Sequence, residues 1–225
     1  MKEEVLENLS YYFEAIWRAI KDALVPEDKV IEKLLKSSPS DMRMLLPKTS
    51  AIPLPHTYSL FSYKNASVRA CVLAIKYKRH KEMISRMAAY LYEDMFDLLS
   101  DIMLFEGERK IILIPMPASK RRMKKYGFNQ CEDLCREISK LGDFFKLETD
   151  TLLKSRETES QTKFAKSERL KNVEGSMVVR GTEKIKDQTV VVVDDVYTTG
   201  ATTKEARRAL KGAGARRAIS FTLGH

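Results

Sequence analysis

Cysteine is scarce in this chain: three thiols, Cys71, Cys131 and Cys135, occur among 225 residues. That excludes a disulfide framework. Cys131 and Cys135 stand one helical turn apart and can share a face. Two thiols alone make a poor metal site, and small packing residues are the simpler reading. Histidine is as sparse. His56, His80 and His225 are scattered, so neither a zinc cluster nor a Ser/His/Asp arrangement can be assembled from them. No run is apolar for long enough to span a bilayer, and membrane insertion is not expected. The start, Met1-Lys2-Glu3-Glu4, lacks the charged-then-apolar plan of a signal peptide, so a soluble cytoplasmic protein is expected. There is no internal repeat and no low-complexity tract.

What is present is length, charge and alternation. The 225 residues suffice for one α/β domain with a sizeable core and a helical extension. Forty basic residues against 31 acidic ones leave a net charge of +9. Such a balance favours an anionic partner: a polyphosphate, nucleic acid or a membrane surface. A solvated surface of mixed charge accounts for it equally well.

Apolar spacings of three and four predict a helix over 3–24, carried by Leu6, Leu9, Phe13, Ile16, Trp17, Ile20 and Leu24. Pro26 suits the first turn of a second helix ending near Lys36. Residues 37–56, with four prolines, read as a linker or wrapped loop. Helical patterns return at 66–77, 81–100, 129–140 and 203–211. Strands are expected at 58–63, 110–114, 144–147, 177–180, 189–193 and 218–223. Such alternation implies a mainly parallel sheet, here preceded by an N-terminal helical extension and linker over 1–57, with the α/β domain over 58–225.

The most informative stretch is Val190-Val191-Val192-Val193-Asp194-Asp195-Val196-Tyr197-Thr198-Thr199-Gly200-Ala201-Thr202. Four β-branched apolar residues read as a strand buried on both faces. Two acids follow, then a loop of small and hydroxyl residues, then a helix. In open parallel sheets ligands bind at the carboxyl ends of the strands. Gly200 lets backbone come close to a ligand, and the threonines and the helix start offer donors to a phosphate. A sugar phosphate reconciles acids with a phosphate cradle: carboxylates accept from ribose hydroxyls while the loop takes the phosphate. A buried strand ending in a helix capped by Thr202 or Thr203 is the plainer structural alternative.

This stretch resembles the 5-phosphoribosyl-1-diphosphate (PRPP) signature of type I phosphoribosyltransferases. The resemblance implies a twisted, mainly parallel sheet flanked by helices. It puts Asp194 and Asp195 on the ribose hydroxyls and Thr198, Thr199, Gly200, Ala201 and Thr202 around the 5-phosphate. Tyr197 is bulkier than the usual aliphatic residue there.

Two further segments carry chemistry. Ile114-Pro115-Met116-Pro117-Ala118-Ser119 is a strand end leading into Lys120, Arg121, Arg122, Lys124 and Lys125. Ala118, Ser119, Lys120 and Arg121 are candidates for holding a pyrophosphate, which needs clustered cations and backbone N–H donors. A solvated basic turn or a nucleic-acid contact is the alternative. The charged stretch 154–172, with Arg156, Thr158, Gln161, Glu168, Arg169 and Asn172, reads as a flap that excludes water during reaction, or as a plain surface loop.

Order and spacing resemble the ComF family, named for a late-competence protein of bacterial DNA uptake. The similarity runs from about Tyr58 onward. It includes Ala74-Ile75-Lys76-Tyr77, Pro115-Met116-Pro117, Gly127-Phe128-Asn129-Gln130, the Arg156/Gln161/Arg169/Asn172 series and the phosphoribosyl loop. The Arg that usually stands before Gly-Phe-Asn-Gln in the family is Tyr126 here; if that Arg helps to grip pyrophosphate, either Lys124 or Lys125 replaces it or the grip is weaker. No cysteine precedes Cys71, so the N-terminal zinc ribbon that many members of the family carry is not expected here, nor is structural zinc. Lys2 at position 2 makes glutamine hydrolysis by an N-terminal cysteine an unsuitable reading.

The resemblance implies a pentosyl transferase using PRPP with Mg²⁺, the metal held by the substrate and by Asp194 and Asp195. Gln161 and Arg169 would close over the reacting sugar, with an unidentified nucleophilic acceptor. A competing class is a competence accessory protein that binds single-stranded DNA and keeps a vestigial or sensory PRPP site. Tyr126 and Phe128 beside the cation run would be its stacking platform, though hood packing explains them equally. A third is an interaction protein docking through helix 3–24, and a homodimer is a further candidate assembly.

Overall fold

A computed structural model describes residues 27–49, 54–107, 110–155 and 173–225. The expected helix 3–24 and the flap residues Arg156, Thr158, Gln161, Glu168, Arg169 and Asn172 lie outside the described residues.

Two helices, α1 (Glu27–Lys36) and α2 (Pro39–Leu45), precede strand β1 (Thr57–Phe61). Then come α3 (Ala66–Lys78), α4 (Lys81–Glu106), β2 (Ile111–Pro115), α5 (Lys120–Tyr126) and α6 (Gln130–Ile138). Next are β3 (Phe145–Leu147), β4 (Leu152–Lys154), β5 (Met177–Val179), β6 (Thr189–Val196), α7 (Ala201–Gly212) and β7 (Arg217–Gly224). The main sheet has five strands in the order β1-β7-β6-β2-β3, every neighbouring pair parallel.

The valine run forms the middle of this sheet because both of its faces are apolar. Val191 and Val193 join one core with Ile75, Leu91 and Leu113, while Val190 and Val192 join the other with Ile114, Ala206 and Leu210. Side chains of a strand alternate between faces, so a run without polar residues needs cover on both sides. Helices α3 and α4 cover one face and α7 the other; α6 contributes Leu134 and Cys135 to the first core and Cys131 to the second. Several helices start where the sequence offers an acceptor. The Asn65 side chain accepts from the Ser67 and Val68 N–H groups at α3, and that of Asn129 from Cys131 at α6.

Four departures from the sequence reading stand out. Residues 39–45, read as linker, are helix α2. Ser38 accepts from the Asp41 N–H, Pro39 occupies the first turn, and Met42 is buried; proline there starts a helix rather than breaking one. Part of the basic loop is helix α5, capped by Ser119. Strand β5 is not in the main sheet; it pairs antiparallel with β4, which the pattern did not announce. Strand β6 runs through Val196, so the acids stand on the strand rather than after it. No helix among the described residues is long and apolar enough to cross a membrane.

Leu113 lies in the inner strand β2 and is fully buried. Leu113→Ala is expected to lower the unfolding free energy by about 3 kcal/mol. The check is urea denaturation, where the midpoint should fall at an unchanged m-value.

Candidate functional site

All five strands of the main sheet deliver their carboxyl ends to one edge. There the two acids continue the alternation of β6. Asp194 follows the row of Val190 and Val192, and Asp195 follows that of Val191 and Val193. The carboxylates therefore do not share one wall. Helix α6 spans both. The Asn129 Nδ2 donates to the Met116 carbonyl at 3.0 Å, which fixes the start of α6 over the end of β2. From that position Gln130 Nε2 donates to Asp195 Oδ2 at 2.7 Å, and Cys131 Sγ lies 3.6 Å from Asp194 Oδ1 as a weak donor.

Asp195 is 5 % exposed. Its charge is met by Lys76, from the last turn of α3, whose Nζ lies 2.9 Å from the same Oδ2. Burial works against the Lys76 charge, but the Asp195 carboxylate outweighs it and holds the ammonium protonated beyond the ordinary lysine range. Tyr63 completes this side: burial raises its phenol pKa, with Lys76 opposing and Asp195 adding to the shift. Asp194 accepts the Asp195 backbone N–H at 2.9 Å. Its surface is not fully closed to solvent, yet desolvation first and the neighbouring Asp195 charge second push its carboxyl up to about 6.

The loop after β6 turns back tightly. The Tyr197 N–H donates to the Gly224 carbonyl at 2.8 Å, and its ring meets that of His225 edge-on at 5.1 Å. Gly200 has φ +76°, and a Cβ there would sit 2.5 Å from the Tyr197 hydroxyl oxygen. Glycine is thus required twice over, for the left-handed turn and for the ring above it. Gly200, not Thr202 or Thr203, is the residue that begins α7, and it gives no side-chain cap. The Ala201 N–H makes only a long hydrogen bond, donating to Thr199 Oγ1 at 3.5 Å. The first-turn N–H groups of a 12-residue helix thus open toward the strand-end edge, with Thr198 exposed and Thr199 and Thr202 half-buried.

Ala118 and Ser119 leave β2 at this same edge, half-buried, while Lys120 and Arg121 are exposed. Lys124 and Lys125 also face solvent. Arg122 is the cation of the run that turns inward. It donates to the Lys76 carbonyl and lies 4.9 Å from the centre of the Tyr126 ring, which also meets Tyr77 at 5.4 Å. Phe128, expected beside Tyr126 as a stacking surface, is only 8 % exposed; Tyr77 is 45 % exposed. An aromatic platform here is therefore Tyr77 with Tyr126.

The structure brings together Asp194, Asp195, the loop 198–202 and the segment 118–121. Gln161 and Arg169 lie outside the described residues. Lys76, Gln130 and Cys131 were not singled out as site residues from sequence, although Lys76 and Gln130 stand in the Ala-Ile-Lys-Tyr and Gly-Phe-Asn-Gln motifs. Among the described residues no group of three or more His, Cys, Asp or Glu is arranged to hold a metal ion. The two carboxylates offer hard oxygen donors, which suit a Mg²⁺ that keeps phosphate and water ligands rather than a resident ion. Two open clefts lie elsewhere. One, of about 370 Å³, is lined by Tyr58, Leu60, Asp94 and Leu98; another, of about 480 Å³, by Ile31, Leu35, His80 and Glu82.

Residues 136–224 match the phosphoribosyl transferase domain family. Among curated proteins the chain is similar to the competence protein ComFC of Bacillus subtilis (strain 168), with 26% identity over 166 residues. That match covers 73% of this chain and 62% of the relative's length. Solved structures that the chain matches include hypoxanthine phosphoribosyltransferase from Trypanosoma cruzi in complex with its product IMP. It is 13% identical, with TM-score 0.41, covering 63% of this chain and 66% of that one. An alanine mutant made to study an invariant aspartic acid in HPRTs has 14% identity and TM-score 0.41, covering 63% and 67%.

The Asp194 carboxyl yields a pH prediction. Its folded pKa of about 6 lies above the usual 3.8, so the folded state binds the extra proton between those values. Its contribution is fully present below the unfolded pKa and is lost as pH rises through the folded one. Asp194→Asn is expected to be more stable than the parent by about 1–3 kcal/mol at pH 7, an advantage that fades toward pH 4. Urea titrations of both proteins across that range check it.

Proposed function

We propose that this chain, whose residues 136–224 match the phosphoribosyl transferase domain family and which is similar to ComFC, is a type I phosphoribosyltransferase that binds PRPP with Mg²⁺ and transfers its phosphoribosyl group to a nucleophilic acceptor. The observation that carries this reading is one juxtaposition. An acidic pair ends β6, and the uncapped start of α7 lies just beyond it on the same sheet edge. A ligand suited to both must present hydroxyls to the acids and an anion to the helix. A ribose 5-phosphate unit does so. Asp194 and Asp195 accept from the ribose hydroxyls, and the N–H groups and hydroxyls of 198–202 take the 5-phosphate.

The diphosphate then lies toward Ala118, Ser119, Lys120 and Arg121. Mg²⁺ arrives as part of the substrate and neutralises diphosphate charge. The C1–O bond breaks, its electron pair leaves with pyrophosphate, and a lone pair of the acceptor forms the new bond to C1. The cations after β2 stabilise the leaving charge. Gln161 and Arg169 serve as the cover over the reacting sugar. Residues 58–225 act as the transferase unit and 1–57 as an extension of it, in the cytoplasm.

A second reading has its own support: Tyr77 and Tyr126 in contact beside five cations suit single-stranded nucleic acid, with the ribose site kept as a sensor. One set of experiments separates the two. Calorimetric titration with PRPP and Mg²⁺ is expected to show binding that Asp195→Asn weakens at least about tenfold. Pyrophosphate release should follow with an acceptor from a panel of bases and amines. PRPP binding without turnover, together with salt-dependent binding of single-stranded DNA that Asp195→Asn leaves unchanged, favours the second reading. No PRPP binding at millimolar ligand sinks both.

A further inference from the structure

Lys76 links the acid pair to the segment after β2 through two different parts of the residue, its ammonium and its backbone. On one side it meets Asp195 at 2.9 Å, on the oxygen that Gln130 also donates to at 2.7 Å. On the other side the segment after β2 is attached to its backbone. Arg122 donates to the Lys76 carbonyl, and Arg122 belongs to the short helix that Ser119 caps. Tyr77, the next residue, lies against Tyr126 of that helix. The turn of chain bearing Lys76 is thus tied to the pyrophosphate segment, while its side chain reaches the acid pair.

Resting on the PRPP reading above, we propose that Lys76 is a partner-exchanging cation: it neutralises Asp195 as seen here and passes to the diphosphate oxygens when PRPP binds. Two constraints lead to this. Asp195 Oδ2 already accepts twice, so a ribose hydroxyl that donates to that oxygen competes with Lys76 and Gln130. A Lys76 displaced without a new partner would leave a mostly enclosed ammonium uncompensated, with 29% of its side chain exposed. A lysine stem is long and rotatable, so its charge can move while the helix stays fixed. Gln130 would keep its bond to Asp195 and hold that carboxylate in place during the exchange. No covalent step is involved. Lys76 is a binding residue for the diphosphate and a positioning residue for Asp195.

Ribose 5-phosphate separates the two roles, because it offers the hydroxyls and the 5-phosphate but no diphosphate. Titrations of the full chain with PRPP–Mg²⁺ and with ribose 5-phosphate are compared for the parent, Lys76→Met and Lys76→Arg. Lys76→Met is expected to weaken PRPP at least about tenfold while ribose 5-phosphate binds as well as before or better. Lys76→Arg should keep the preference for PRPP. An equal loss for both ligands in Lys76→Met would mean a purely structural partner and overturns the exchange. A readout on the parent protein avoids dependence on the variants folding: amine acylation followed by mass spectrometry, with the exposed Lys124 as reference. Lys76 should become more reactive with ribose 5-phosphate and protected with PRPP–Mg²⁺. Equal protection by both overturns the exchange. A parent that binds neither ligand instead overturns the PRPP reading itself.

Discussion

Two carboxylates must be kept at the end of a strand whose valine run is buried on both faces, and the arrangement of the site follows from that demand. Water cannot compensate Asp195 where it stands, so the fold supplies a cation and an amide. Losing one partner of such a buried pair costs about 3–5 kcal/mol. Lys76 and Gln130 meet the demand, both at the same carboxylate oxygen. Their positions in turn depend on where α3 ends and α6 begins. Asp194 has weaker company, a thiol and a backbone N–H, and desolvation together with the neighbouring Asp195 charge pushes its carboxyl up to about 6.

The same strand end faces a second polarity. Beyond Tyr197 the chain turns at Gly200 and enters α7 with its first N–H groups uncapped. Acid side chains and an anion-seeking helix start so close together would be incompatible with a single charged ligand. They are compatible with one that is hydroxyl-bearing at one end and phosphorylated at the other. A parallel sheet makes such proximity natural, because every strand leaves its carboxyl end on the same edge and every following loop returns over it. The cation-bearing segment after β2 and the His225 carbonyl region after β7 reach this edge for the same reason.

Much of the fold was legible because the periodicities are strong. The valine run, the Lys-Ile-Ile-Leu-Ile strand and the helices at 66–77 and 81–100 agree with β6, β2, α3 and α4 to within a few residues. Failures have local causes. The four prolines of 37–56 suggest a linker, although serine before proline is also how a helix starts, and Ser38 caps α2 in that way. The cation run hid α5, since charge masks a short helix with no buried face of its own. The β4–β5 pair escaped because three-residue strands carry no readable alternation.

Residue order alone was enough to establish a buried central strand, an acid pair at its end and a glycine turn leading into a helix; these depend on neighbours in the chain and on side-chain type. Which partner each acid receives was beyond its reach. Asp194 and Asp195 are adjacent and chemically alike, yet alternation on β6 sends one toward Cys131 and the other toward Lys76. Only the packing of α3 and α6 over the sheet decides that a lysine more than a hundred positions earlier is the counter-ion of Asp195. Electrostatic partnership of buried groups is a property of distance in space and of excluded water, and neither is written along the chain.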